Sequence, residues 1–314
     1  MGAQETFPIW YAKQKGWDKE VGLDVELLYF SSGMDALSTC PPRHGSSAAW
    51  ERFPPHGALR HDTYVIANCN DEAMVNAVMV RPDSPIMQTK AITRATRTYT
   101  GTPESVKQNR PLHDRFLGPL RLSSWLKALG LTEKDVTIKN MDQASALAAF
   151  EYGIGDIVTL WAPLTYVGEK RGWKVASTPH DCYRGLPIVI VADREFADKN
   201  PEQVRAFLRV YLRVVDAMHS EGFDAFVQEY IRFNKTWNEK LMTREEAVKD
   251  LRAHPVFSLG EQITLFHPES GNLRNWLRGI TAFYGRIGEL SQEDVANLNA
   301  FGFLNDSLLK GLQQ

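Results

Sequence analysis

The sequence predicts an α/β protein with a helical C-terminal part. Strand and helix patterns alternate through the first two thirds of the chain, whereas from Asn200 onward every periodic stretch is helical. The chain has 314 residues, 43% of them hydrophobic, which suffices for the cores of two domains or of one large one.

In order, "PIWYAKQKGWDKEVG" carries Ile9, Ala12 and Trp17 at helical spacing and stops at Gly22. "LDVELLYF" alternates as a strand does, and "SSGMDALS" restarts a helix with Ser31 or Ser32 as N-cap. "TYVIANCN" and "AVMVRPDSPI" read as strands; "SSWLKALGLTEKDVTIKN" reads as helix, glycine stop and strand. "DQASALAAFEYG" is a helix, "IGDIVTLW" a buried strand, and "KVAST" and "PIVIVA" two more strands. Then "NPEQVRAFLRVYLRVVDAMHS" opens with Pro at N1, and "FDAFVQEYIRF", "TREEAVKDLRA", "NLRNWLRGITAFYGRIG" and "SQEDVANLNAFG" continue as helices.

The totals exclude several classes. A net charge of -2 gives no electrostatic case for nucleic acid. Cys40, Cys69 and Cys182 are too few and too scattered for a disulfide framework or a zinc ribbon. No apolar run reaches membrane-helix length, and "MGAQETFPIW" has neither the basic nor the apolar region of a signal peptide.

Local candidates for chemistry are weak. Cys182 beside His180 and Asp181 lacks the separate loops from which a nucleophile and its base are usually assembled. His44, His56, His61 and Cys40 match no zinc spacing, so a solvated loop is the better reading and no metal or other cofactor is expected. "YGIGDIV" precedes a strand, the wrong order for a phosphate loop. Loops that follow strands are better candidates. Ser31, Ser32 and Gly33 open a helix whose free amides favour an anion, and Trp161 and Pro163 end a strand where open α/β sheets place ligands. For Trp161, and for Trp10 near the start of the first helix, core position and ligand wall are both open readings.

The stretch from "PIWYAKQKGWDKEVGLDVELLYFSSGMDAL" through "NDEAMVNAVMVRPDSPI", "GTPESVK" and "SSWLKALGLTEKDVTIKNMDQASALAAFEYGIGDIVTLWAPLTY" to "VADREFADKNPEQVRAFLRVYLRV" resembles the substrate-binding proteins of ABC importers. The similarity is to their nitrate/sulfonate/taurine group, which includes proteins related to thiamine-pyrimidine synthesis. It implies a two-lobed periplasmic-binding-protein fold of type II, with lobe one formed by residues 1–88 and 187–314 and lobe two by residues 89–186. It also implies capture of a small, anionic solute by hinge closure, with Trp10, Ser31, Ser32, Gly33, Trp161 and Pro163 facing the cleft. The partners would be a membrane permease and an ATPase, the protein a monomer, and the place the periplasm or cell surface. No catalysis is expected; an enzyme of the pyrimidine-precursor type on the same fold is the alternative, and thiamine genes rather than permease genes beside the locus would favour it.

Two segments depart from that resemblance, residues 39–57 ("TCPPRHGSSAAWERFPPHG") and 108–121 ("QNRPLHDRFLGPLR"). A glycine-rich turn and a Ser/Thr/Gly-rich ligand loop are expected in their places. The codons for residues 113–121, read one base later, can spell T-T-V-S-S-G-H-Y-A, and those for residues 39–55, read two bases later, can include G-G-M-G-A-V-P. Both segments are therefore expected to be out-of-frame translations restored downstream; diverged loops of new specificity are the other reading. The resemblance further implies a strand and a signal peptide ahead of "ETFPIWYAK".

Overall fold

The structure is a computed structural model, and it describes residues 4–29, 48–51, 58–92, 98–107, 109–113, 118–182 and 185–313. Its strands are β1 (Ala48–Glu51), β2 (Thr63–Asp71), β3 (Asn76–Val80), β4 (Lys90–Ile92), β5 (Thr98–Thr100), β6 (Pro111–His113), β7 (Lys139–Asn140), β8 (Ile157–Trp161), β9 (Lys174–Ser177) and β10 (Pro187–Asp193). They form a sheet of order β1-β10-β2, a second of order β7-β6-β8-β3-β9, and the β4-β5 pair.

The chain divides into two units. Unit 1 comprises Met1–Asp71 and Pro187–Gln314, and unit 2 comprises Glu72–Leu186. The sequence reading ended the first part of lobe one at residue 88, but β3 pairs with β8 and β9, so residues 72–88 lie in unit 2. The two passages of the chain between units run side by side: Asp71 is opposite Pro187, and the Glu72 N–H donates to the Leu186 carbonyl at 3.0 Å.

In unit 1, β10 lies antiparallel between β1 and β2. Helices of the C-terminal part surround it. The longest, Pro201–Glu221, has Pro at its start, where the missing N–H costs nothing, and buries Val204, Leu208, Tyr211, Val215 and Met218. Arg244–Ala253 and Gln292–Asn299 begin with capping boxes, Thr243 with Glu246 and Ser291 with Asp294, each satisfying two otherwise free amides. The Tyr211 hydroxyl, fully buried, donates to the Cys69 carbonyl at 3.0 Å.

The first helix is shorter than its apolar spacing suggests. It spans Phe7–Gln14; Gly16 takes φ +73° and a second short helix, Trp17–Glu20, follows. Residues 23–28 alternate between half-buried and exposed, yet they join no β-ladder among the described residues. "VTIKN" pairs only through Lys139 and Asn140, and "AVMVRPDSPI" ends its strand at Val80 before a short helix, Pro85–Gln88, capped by Ser84. The "SSGMDALS" helix lies outside the described residues. Most of residues 39–57 does too, but "AAWE" within it forms β1 by register with β10, a pairing its sequence pattern does not announce.

In unit 2 the central strands β3 and β8 are buried along nearly their whole length, and their alternate residues feed two separate cores. Val78, Val80 and Ile157 pack with Leu122, Trp125 and Leu126 of the helix Gly118–Ala128. Ala77, Met79, Val158 and Leu160 pack on the other face with Ala146 and Phe150 of the helix Gln143–Glu151. Each core strand is thus clamped between two helices, which fixes the position of whatever side chains stand at its end.

Candidate functional site

The C-terminal end of β8 is where polar side chains accumulate. On the face that meets helix Gly118–Ala128, the sequence runs from Ile157 through Thr159 to Trp161, opposite Val80, Val78 and Asn76 of β3. The first of these layers is purely apolar; the last is not. Thr159 and Asn76 are both 0% exposed, and Thr159 Oγ1 and Asn76 Oδ1 have no hydrogen-bond partner among the described residues. Asn76 is held by its amide, which donates to the Glu72 carbonyl at 2.7 Å. A buried polar atom without a partner costs about 1–3 kcal/mol, so two in adjacent layers, Thr159 opposite Val78 and Asn76 opposite Trp161, mark a place where folding alone does not explain the residue types.

Above this layer lies Arg121, in the first turn of helix Gly118–Ala128 and only 1% exposed. Its guanidinium stands 4.9 Å from the centre of the half-buried Trp161 ring. Stacking of this kind contributes roughly 0.5–2 kcal/mol. An anion at the same layer would add charge-assisted hydrogen bonds of about 1.5–3 kcal/mol each.

The strand end itself is rigid. The Trp161 N–H donates to Gln143 Oε1 at 2.7 Å, the Ala162 N–H donates to the Val75 carbonyl at 3.0 Å, and Thr165 Oγ1 donates to that carbonyl at 3.4 Å. The Ala162-Pro163 bond is cis, and Pro163 is exposed. At the opposite end of β8, Arg110 holds Asp156 through hydrogen bonds of 3.0 and 3.2 Å; that contact keeps the carboxyl below the usual carboxylate range. Arg81 donates to the Gly155 and Phe150 carbonyls at 2.8 and 2.7 Å, closing the turn before the strand.

Of the residues singled out from sequence, Trp161 and Pro163 stand together at this strand end. Trp10 belongs to unit 1, is 7% exposed, and packs on Phe233 at 5.4 Å. It also lines a cavity of about 460 Å³ with Lys13, Gln14 and Trp237. Ser31, Ser32 and Gly33 lie outside the described residues, as do Cys40, His44 and His56. Cys182 Sγ sits 3.6 Å from Ser177 Oγ, and the neighbouring Asp181 accepts from the Thr178 N–H at 2.7 Å. Among the described residues no group of His, Cys, Asp and Glu is placed to hold a metal ion, and no helix is long and apolar enough to cross a membrane.

Sequence reasoning missed Arg121, Thr159 and Asn76. A signal exists for each: Thr159 interrupts "IVTLW" at an inward position, Asn76 opens the apolar run "AVMV", and Arg121 stands four residues before Trp125 on a core-facing stripe.

Known proteins bear on this arrangement in three ways. A family model described as NMT1/THI5 like matches residues 66–222, half of the chain. A putative ABC transporter periplasmic binding protein of Brachyspira hyodysenteriae is 23% identical over 263 residues, covering 82% of this chain and 74% of that one. Among solved structures, the periplasmic aliphatic sulphonate binding protein of Escherichia coli superposes with a TM-score of 0.70 at 16% identity, covering 93% of each chain. The periplasmic nitrate-binding protein of Synechocystis PCC 6803 does so with a TM-score of 0.65 at 14% identity, over 99% of this chain and 86% of that one. These are likenesses of fold, and the fold they share is that of periplasmic binding proteins. By the match that runs from the middle of β2 to the end of the long helix Pro201–Glu221, the chain belongs to the NMT1/THI5-like family.

Proposed function

We propose that this protein is the solute-binding component of an ABC importer, and that it captures a small oxyanion of the sulfonate or nitrate type. The reading extends to this chain what its relatives are named for: periplasmic binding of sulphonate and nitrate, and membership of an ABC transporter. The observation that carries the anionic part is the Arg121 guanidinium, buried over Trp161 at the end of β8 near Thr159 Oγ1 and Asn76 Oδ1, which have no hydrogen-bond partner among the described residues. Arg121 supplies charge and a flat donor edge, Trp161 a wall that excludes water, and Thr159 a hydroxyl that donates to an oxyanion. Trp10, Ser31, Ser32, Gly33 and Pro163 complete the proposed binding surface. Capture proceeds by hinge closure, for which the two adjacent passages at Asp71–Glu72 and Leu186–Pro187 are the natural flexing points. The loaded protein then delivers its solute to a permease and ATPase at the membrane, outside the cytoplasm, acting as a monomer and without catalysis or a cofactor.

Titration with ethanesulfonate, taurine and nitrate, followed calorimetrically and by indole fluorescence, tests this. Saturable binding to one of them at one site per chain, lost in Arg121→Ala, is the expected result. No binding of any of the three by a folded protein overturns the proposal.

A further inference from the structure

The two open polar atoms near the end of β8 differ in kind. Thr159 Oγ1 belongs to a hydroxyl, which donates or accepts as its neighbour requires, whereas Asn76 Oδ1 is a carbonyl oxygen and only accepts. Glu72 fixes which way the Asn76 amide faces. The amide nitrogen donates to the Glu72 carbonyl at 2.7 Å and to Glu72 Oε2 at 3.4 Å. A backbone carbonyl is an acceptor only, so the nitrogen has to face Glu72 and the oxygen has to face away from it. Donation by the nitrogen also polarises the amide, which makes Oδ1 the stronger acceptor.

The donors of the strand end are committed elsewhere. The Trp161 N–H goes to Gln143, and the Ala162 N–H and the Thr165 hydroxyl go to the Val75 carbonyl. Thr159 stands one register step from Asn76, and neither open atom bonds the other. Asn76 is 0% exposed, so bulk water does not meet Oδ1. An oxyanion does not satisfy it either, because oxygen faces oxygen and both only accept. Arg121 and Thr159 thus answer to the anionic end of a solute, and Asn76 answers to a group that a bare anion lacks. All of these residues lie in unit 2.

We propose that Asn76 is a specificity-determining residue that reads a hydrogen-bond donor on the solute. The preferred ligand is then an oxyanion with a donor of its own, either a hydroxyl or ammonium on the attached carbon chain or a proton kept on the anionic group. This rests on the reading of the strand end as the solute site, and it narrows that reading. Nitrate and plain alkanesulfonates engage Arg121 and Thr159 but leave Oδ1 unpaired or set against another acceptor. A buried acceptor left unpaired is what lets a site built around a donor reject an analogue of nearly the same shape that lacks it.

The test compares ligands on the full chain by calorimetric titration. Ethanesulfonate is the reference without a donor; hydroxyethanesulfonate and taurine add one on the carbon chain. Methylphosphonate, titrated below and above its second ionisation, carries one on the anionic group only at the lower pH. Expected is binding at least about tenfold tighter than ethanesulfonate for one of these donor-bearing forms. Preference for hydroxyethanesulfonate or taurine places the donor on the chain, and preference for protonated methylphosphonate places it on the anion. In Asn76→Leu the ratio to ethanesulfonate is expected to fall to about one. That variant also loses both bonds to Glu72, so Thr159→Val serves beside it: affinity falls for every ligand while the ratio persists. Equal affinity of all forms for the unaltered protein overturns the proposal and leaves the oxyanion reading standing, with a water completing Asn76. A preference that survives in folded Asn76→Leu overturns it as well. Binding of none of the four ligands overturns both.

Discussion

Arg121 and Trp161 meet face to charge, the guanidinium 4.9 Å from the ring centre, at the end of the buried strand β8. Arg121 is the strongest anion donor of the proposed binding surface. Arg121→Ala is expected to weaken oxyanion binding at least tenfold, about 1.5–3 kcal/mol for each charge-assisted bond lost. The same variant bears on the origin of residues 108–121. The shifted frame supplies alanine at this position, so unchanged affinity with a raised melting temperature would mark Arg121 as a misfit. The nucleotide sequence through residue 121 reads out that origin directly: bases that spell the glycine-rich and serine-rich loops in the shifted frames are expected there.

Thr159→Val exchanges a buried hydroxyl without a partner among the described residues for a methyl group of the same shape. The expected result is a fold as stable as the original or about 1 kcal/mol more stable, because nothing in the unliganded core is lost with the hydroxyl. Affinity for the oxyanion is expected to fall in the same variant. Denaturant melts and calorimetric titrations of one preparation measure both.

Gly155 has φ +75°, and a Cβ there would stand 2.6 Å from Leu112 Cγ and 2.9 Å from the Arg110 carbonyl oxygen. Neither the backbone conformation nor the space admits a side chain, since Arg81 also grips the Gly155 carbonyl. Gly155→Ala is expected to destabilise the protein by more than about 1 kcal/mol, seen as a lowered denaturant midpoint. An unchanged midpoint would contradict the close packing of the turn on β6.

Burial holds the Tyr211 hydroxyl well above its usual pKa of 10.0, with Cys69 beside it reinforcing the shift. The unfolded chain releases this proton at about pH 10, while the folded chain retains it. The stabilisation is therefore complete below pH 10 and declines as the pH rises further. Tyr211→Phe is expected to flatten the alkaline limb of a stability–pH profile. It should also cost about 1 kcal/mol near neutrality through the lost bond to the Cys69 carbonyl.

The sequence by itself determined the parts of this protein that depend on local period. Val204, Leu208, Tyr211, Val215 and Met218 announce one buried helical stripe, and "IVTLW" and "IVIVA" announce strands with no solvated face. The family and its fold were legible only by resemblance, in the motifs that run from "PIWYAKQKGWDKEVG" to "VADREFADKNPEQVRAFLRVYLRV". Tertiary structure decided what depends on partners distant in sequence. "AAWE" is a strand because β10 offers it a register, and "LDVELLYF", with the better strand pattern, joins no ladder among the described residues. Residues 72–88 belong to unit 2 because β3 finds its partners there. The cluster of Asn76, Arg121, Thr159 and Trp161 draws on β3, a helix and β8, and no periodicity in one segment can report which side chains of three segments gather at one strand end. A hydrogen-bond ladder and a buried charge are each completed by their partners, and those partners are assigned only when the chain folds.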